Sequence, residues 1–393
     1  MSRHPFDQAL RIGICASYDL GRAGGVNTHI RAQAAALRSL GHDVCVIGAS
    51  SAPLPDGEIA LCSSVSLVIE HTETGFGIDP RSWWTVRRLL RDRQFDVLHM
   101  HEPLMPLPSW FVLWQAQAPI VATFHTYRER GHKWYPKYRW LFDPMMDRVT
   151  TRLAVSDAAR RTVAEHFPGK YEIVPNAIDV CRFSRPAERP EPMPNGRRYV
   201  LTVGRLEPRK GLDRLLQAMA IVRQHTPCAQ LVVVGEGPDR GAIESQAREL
   251  GVDVLFAGRV SDDELPGFYQ AADVVCAPAL GDESFGIVLL EAMAAGRPIV
   301  ASNIAGYAEL LGPARCARLA DVDDPASLAR EVCAVFDNPR LARTLGERGA
   351  LAARQYDWGV VAKRLQEIYY GAIAPGGVRA PQYARVGISS AGV

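Results

Sequence analysis

Short apolar runs recur along the first half of the chain, at residues 11–16, 44–47, 97–101, 120–124, 153–155 and 172–174. Most are rich in Val and Ile and too short for helices, as strands buried on both faces are. Between them apolar residues fall at helical spacing. One such stretch covers 26–40 and stops at Gly41; another covers 157–166, with Ser156 placed to cap it. The alternation predicts parallel sheets covered by helices. Residues 184–197, SRPAERPEPMPNGR, interrupt it with Pro186, Pro190, Pro192 and Pro194, which is linker composition. A second series follows at 199–203, 230–234, 254–257, 274–277 and 298–302, with Ser261 and Glu264 spaced as a capping box. Beyond Pro325 the pattern is helical to about Ala372, and the last 20 residues read as a loose tail. The expected fold class is therefore α/β: two doubly wound, Rossmann-like halves and a helical end. The units run over 1–183, a linker at 184–197, and 198–355. A closing helix over 356–373, free to return to the first unit, and a tail over 374–393 complete the chain. Ligands of such sheets sit beyond the carboxyl ends of the strands, which puts the chemistry in the cleft between the halves.

Composition narrows the function only a little. A chain of 393 residues with 47% hydrophobic residues can bury two cores. A formal net charge of +2 favours no polyanion as partner, so any anionic preference must be local. The eight cysteines are scattered without a C-x-x-C pair, several inside apolar runs, and are expected to be buried, reduced thiols. Neither a secretory leader nor a membrane-length apolar run is legible, which points to a cytoplasmic protein.

Four segments carry candidate chemistry. The first is GDESFGIVLLEAMAAGRPIVAS at 281–302, where a strand ends and a helix is expected to start near Phe285 or Gly286. Glycine there lets a phosphate approach the free N–H groups of a first helical turn. Glu283 and Glu291 stand eight residues apart, roughly 12 Å and about 80° apart on helical geometry. One carboxylate could grip a sugar and the other a ribose, with a diphosphate between them. Alone, the spacing favours a helix cap and a solvated helix residue, being common by chance; set in this loop with this glycine it becomes specific. The second segment, GRLEPRKG at 204–211, offers Arg205 and Lys210 to a diphosphate where a strand ends. The third is Gly24-Gly25-Val26, a glycine pair that suits close approach to an anion or sugar. It is no Walker loop, and no dinucleotide fingerprint occurs in either half. The fourth is His125, following the run 120–124 and so facing the cleft. His99 and His101 share a strand face beside Glu102, but the further ligands of a metal site cannot be located.

Together these segments resemble the retaining glycosyltransferases of family 4, which have the GT-B fold, over nearly the whole chain. Within that family the runs FDVLHMHEP (95–103), VATFHTY (121–127) and CAPALGDESFGIVLLEAMAAG (276–296) look most like bacterial phosphatidylinositol α-mannosyltransferases using GDP-mannose. The resemblance implies a first unit holding the acceptor and a second holding the nucleotide-sugar donor. It implies that Gly204, Arg205 and Lys210 bind the diphosphate, with the backbone of Ser284, Phe285, Gly286 and Ile287. Glu283 would hold the transferred sugar and Glu291 the ribose. His125 would contact the sugar near its reacting face. Gly24 and Gly25 would line the donor from the opposite unit, and Val260 would lie beside the base. Retention, and the lack of need for a metal or other cofactor, are likewise implied. The loop 17–23, SYDLGRA, departs from the mannosyltransferase pattern at the place that should border the acceptor.

One segment bears on the acceptor independently. RSWWTVRRLLRDR at 81–93 carries five arginines against one aspartate. On a helical wheel Trp83, Val86, Leu89 and Leu90 form an apolar arc, while Arg87, Arg88 and Arg91 form another with Trp84 among them. Packing explains the first arc; an anionic lipid surface attracts the second. A second basic and aromatic stretch runs from Tyr127 to Trp140. The expectation is a hexosyltransferase acting at the inner membrane face on a phosphatidylinositol-type or other glycolipid, with no nucleic-acid partner. Alternatives are a family 4 enzyme with a UDP-sugar and a soluble or polysaccharide acceptor, a nucleotide-sugar epimerase, and a non-catalytic sugar- or lipid-binding protein on the same scaffold.

Overall fold

The structure, a computed structural model, describes residues 8–22, 24–69, 72–129, 131 and 134–374. The loose tail expected at the end, together with Ala23, Arg130 and Lys133, lies outside the described residues apart from Ala374.

Strands β1 (Arg11–Ala16), β2 (Asp43–Ser50), β3 (Glu58–Ile69), β4 (Thr72–Gly77), β5 (Val97–His101), β6 (Ile120–Phe124), β7 (Thr151–Ala154) and β8 (Tyr171–Ile173) form one sheet. Its order is β4-β3-β2-β1-β5-β6-β7-β8, parallel except for the antiparallel β3–β4 pair. A second, wholly parallel sheet has the order β11-β10-β9-β12-β13-β14. Its strands are β9 (Arg198–Val203), β10 (Ala229–Val234), β11 (Val254–Gly258), β12 (Val274–Ala277), β13 (Ile299–Ser302) and β14 (Ala317–Ala320). Central strands such as β5, β6 and β12 are buried at every position, which is why they read as unbroken apolar runs. In each sheet the winding reverses beside the first strand, between β1 and β5 and between β9 and β12. A crevice opens at each reversal.

Local signals hold up closely. Gly41, at φ 91°, follows the helix Gly25–Ser39. The Ser156 side chain accepts from the Ala159 N–H at the start of Asp157–Ala164. The Ser261–Glu264 box forms its reciprocal hydrogen bonds, but the helix proper begins at Leu265.

Three findings differ from the sequence reading. The hairpin β3–β4 and the edge strand β14 were not anticipated. The proline-rich segment 184–197 packs down on the second unit: Met193 is fully buried, and the Gln270 amide holds the Phe183 and Arg185 carbonyls. All eight cysteines are free, but Cys181 and Cys228 are exposed, and Cys62 and Cys333 only half-buried, where burial was expected.

The two units are stitched at a point upstream of those prolines. The Ile178 N–H donates to the Tyr356 carbonyl (2.9 Å) and the Trp358 N–H to the Ile178 carbonyl (3.1 Å), so the two chain crossings run side by side. Beyond them the helix Trp358–Ile373 returns to the first unit. It places Trp358, Val361, Leu365, Ile368 and Tyr369 in the core formed by β1, β2 and the helix Gly25–Ser39. Among the described residues no helix is long and apolar enough to cross a membrane.

Candidate active site

The crevice of the second unit is built by the turn leaving β9. Gly204 turns the chain at φ 151°, and a short 3-10 turn at Pro208–Lys210 brings the cations round. Gly211 ends it at φ 66°; a Cβ there would stand 2.0 Å from the Pro278 carbonyl oxygen, so only glycine lets the turn press against the exit of β12. Thr202, Gly204, Arg205, Lys210, Ala279 and Val288 line one cavity, so the expected cations do face the first turn of the helix that follows β12.

That helix is Ile287–Ala294, which starts one to two residues later than expected, and Gly286 precedes it at φ 87°. A Cβ on Gly286 would meet the Tyr307 ring at 2.7 Å. No side chain caps the helix, so its first N–H groups point at the crevice. Phe285 itself is buried in the core against Tyr356, leaving only its backbone for a ligand, as for Ser284 and Ile287.

Glu283 lies in the loop before the helix, so the helical separation from Glu291 does not apply to it. Its Oε1 accepts from Lys210 Nζ (2.6 Å) and also from Arg209. Burial pushes its carboxyl up, but Lys210 and Arg209 outweigh burial and hold it ionised below the usual range. Arg209 also reaches Glu207 Oε2 (3.1 Å), and Arg205 Nε lies 2.9 Å from Glu207 Oε1. Glu207 is buried and holds both guanidinium groups in place. The sequence reading passed over Arg209 and Glu207, although both stand inside the turn it singled out. Glu291 is on the helix, and the Tyr269 hydroxyl donates to its Oε2 at 2.6 Å. Burial raises its carboxyl to about 7 against the hydroxyl's opposing pull. Val260, after β11, is half-buried on the same core.

The first unit faces this crevice with β1, β5 and β6. Gly24 is the extended residue before the helix Gly25–Ser39, and a Cβ on either Gly24 or Gly25 would meet nothing within 4 Å. The chain's own packing therefore does not require these glycines, and the space beside them is open. His125 follows β6. Its N–H donates to Glu102 Oε1 (2.6 Å), and its Nε2 lies 2.7 Å from His101 Nδ1. Burial lowers its imidazole to about 4, so the ring is neutral near pH 7. His99 and His101 belong to a stack of imidazoles with His125, and among the described residues no group of His, Cys, Asp or Glu is arranged to hold a metal ion. The units touch at the cleft rim, where the Glu129 N–H donates to Asp282 Oδ1 (3.0 Å) and Arg161 pairs with Glu309 (2.6 Å).

On the first unit's outer face, Trp84 is 67% exposed on the helix Ser82–Arg93, and Arg87, Arg88 and Arg91 are exposed beside it. Val86 is fully buried, as the apolar arc requires.

Sequence and structure comparisons agree with this architecture. A model described as Glyco_transf_4, Glycosyltransferase Family 4, matches residues 23–182, and one described as Glycosyl transferases group 1 matches 184–351. The phosphatidyl-myo-inositol mannosyltransferase of Mycobacterium tuberculosis is 37% identical over 367 residues, 92% of this chain and 96% of the relative. A glycogen synthase of the same organism is 30% identical over 400 residues, 91% of this chain and 93% of the relative. Among solved structures, Anabaena HepE in complex with UDP-glucose superposes with a TM-score of 0.73 at 18% identity, covering 91% of this chain and 98% of that one. With two facing Rossmann-like units, an uncapped helix between acids and cations, and relatives matched almost end to end, this chain belongs to family 4 of the glycosyltransferases.

Proposed function

We propose that the enzyme transfers mannose, with retention, from GDP-mannose to a hydroxyl of a phosphatidylinositol-type lipid. The observation that carries the donor site is the Glu283 carboxylate held by Lys210 and Arg209 in front of an uncapped helix, with Arg205 in the same cavity. Lys210, Arg205 and the first-turn N–H groups bind the diphosphate and take up its charge as it leaves, a role a metal ion fills elsewhere. Both cations bond to one oxygen of Glu283, which leaves Oε2 to accept from hydroxyls of the sugar. Glu291 accepts from the ribose, Val260 borders the base, and Gly24 and Gly25 close over the donor from the first unit. His125 contacts the sugar at the reacting face. The acceptor hydroxyl attacks from the side the diphosphate leaves, and the departing phosphate takes its proton. The units close about the paired crossings at Ile178 and Asp357 and exclude water. The mannose donor and inositol-lipid acceptor rest on the resemblance to the mycobacterial mannosyltransferase.

Two measurements test this. A thermal-shift panel is expected to show GDP stabilising the enzyme more than UDP or ADP at equal concentration. Glu283→Gln is expected to lower kcat for mannose transfer about 100-fold or more while GDP still binds, because the cations remain. Unchanged turnover would remove Glu283 from the site. The similarity to glycogen synthase favours a second reading, a different nucleotide sugar and a polysaccharide acceptor. A UDP or ADP preference, with transfer to glucan and none to lipid, would select it.

We further propose that the first unit rests on an anionic membrane face. Besides Trp84, Trp114, Trp134 and Trp140 are exposed, the last at 74%, on the neighbouring helices Ser109–Gln115, Trp134–Lys137 and Arg139–Met146. Interleaved arginine and indole suit a lipid headgroup region. Vesicles containing phosphatidylinositol should sediment the protein more than neutral ones, and Trp84→Ala with Arg87→Glu should abolish the difference. Equal sedimentation would end the idea.

A further inference from the structure

His101 is a buried side chain that the reaction outlined above does not use. It ends β5, 1% exposed, with its Nδ1 2.7 Å from His125 Nε2 and the two rings stacked at 5.1 Å and 28°. The next residue, Glu102, accepts the His125 N–H at 2.6 Å from a left-handed backbone at φ 52°. Two consecutive residues therefore hold His125, one by its ring and one by its main chain. The register of β5 on β6 pairs His101 with Thr123, two residues before His125, which sets the rings face to face.

The proton between the two rings has a definite owner. Of each imidazole's two nitrogens, the neutral form protonates one. The His101 Nε2 is buried and has no partner among the described residues. Were His125 the donor, the His101 proton would sit on that nitrogen as an orphaned N–H; with His101 as donor, only a lone pair is orphaned. Buried orphan donors are rarer than buried under-satisfied acceptors. The neighbouring His99 is neutral because burial lowers its imidazole to about 3. Its Nδ1 accepts from the Gln33 amide (2.8 Å) and the Tyr369 hydroxyl (2.6 Å), while its Nε2–H donates to Thr123 Oγ1 (2.7 Å). On the other side His29 stands edge-on to both rings, 5.8 Å from His101 and 5.5 Å from His125, and burial holds it neutral too, so neither flanking ring brings a charge to reverse the assignment.

We propose that His101 is a positioning residue for sugar transfer: it donates Nδ1–H to His125 Nε2 and so fixes His125 as the Nδ1–H tautomer, whose remaining N–H is the donor offered to the substrate. The consequence rests on the role given to His125 above; the tautomer itself does not. In the half-buried His125 the Nδ1 has no partner among the described residues, so it is the free donor. A donor at this point can bind a sugar hydroxyl or the ring oxygen side of the reacting centre, whereas an imine nitrogen could only accept.

Nitrogen-15 NMR of histidine-labelled full-length enzyme at pH 7 reads the tautomer directly. The expected His125 signals are a protonated Nδ1 and an unprotonated Nε2, reverting to Nε2–H in His101→Leu. In turnover, His101→Leu should lower kcat by about 10- to 1,000-fold, with the donor KM changed less than about threefold, as loss of a tautomer-setting partner does elsewhere. His101→Asn keeps an N–H at the Nδ1 position and should restore most of kcat; His101→Gln, whose amide lies further out, should not. The proposal is overturned if wild-type His125 carries its proton on Nε2, or if folded His101→Asn is as slow as His101→Leu. Should His101→Leu fail to fold, the wild-type spectrum and the Asn variant still decide. Unaltered turnover in His125→Ala, alongside a wild-type spectrum that shows Nδ1–H, would instead sink the catalytic reading of His125.

Discussion

Glu291 shows what burial does to a single side chain here. Its carboxyl is held up at about 7 by desolvation, against the Tyr269 hydrogen bond and the Arg182 charge. In the proposed donor site, ribose hydroxyls donating to it would stabilise the ionised form, so nucleotide uptake should expel a proton near neutrality. GDP affinity is then expected to rise with pH, by up to about tenfold per unit, and to level off above about 7. Calorimetry in buffers of different ionisation enthalpy should detect the released proton, and Glu291→Gln should flatten the profile. A flat wild-type profile would place the ribose elsewhere. At this scale much of the site was legible, since Glu283, Arg205, Lys210 and His125 all follow recognisable strands. Arg209 and Glu207 were not. Adjacent charged residues in a turn look alike in sequence, and which of them fold inward depends on the loop carrying Glu283.

Among the elements, the two glycine-led helices make opposite predictions. Gly286 sits at φ 87° with no room for a Cβ beside Tyr307. Gly286→Ala should therefore cost about 1–3 kcal/mol and lower Tm by several degrees, whatever the ligand. Gly24 is extended and faces open space, so Gly24→Ala should leave Tm within about one degree and raise the donor KM instead. Scanning calorimetry and kinetics on the two variants separate a glycine needed by the fold from one needed by a substrate. Helix boundaries came within a few residues because caps are local chemistry. The β3–β4 hairpin escaped notice because serines break the apolar run of β3, and β14 because four residues carry too little pattern.

For the molecule as a whole, the buried imidazoles tie several elements together and should make it acid-sensitive. His99 is lowered to about 3 and His125 to about 4 by burial, against an ordinary 6.5. Below that ordinary value the unfolded chain binds protons that the native state refuses, so stability is full above about 6.5 and falls as pH drops toward 4. Tm measured from pH 7.5 to 4.5 should show the loss, and His99→Gln should reduce its slope. An unchanged Tm would mean that these rings are solvated in the native state. Tyr369, which bonds His99, arrives on the returning helix, so that helix completes the first unit's core. By itself the sequence determined the class of fold, its two halves and the glycine turns that line the crevice, because periodicity, caps and glycine turns act over a few neighbouring residues. Tertiary structure alone decided which nitrogen of His125 is free, which cations hold Glu283, where the units are stitched and where the final helix packs. Each of those depends on groups tens to hundreds of residues apart, whose meeting leaves no local trace.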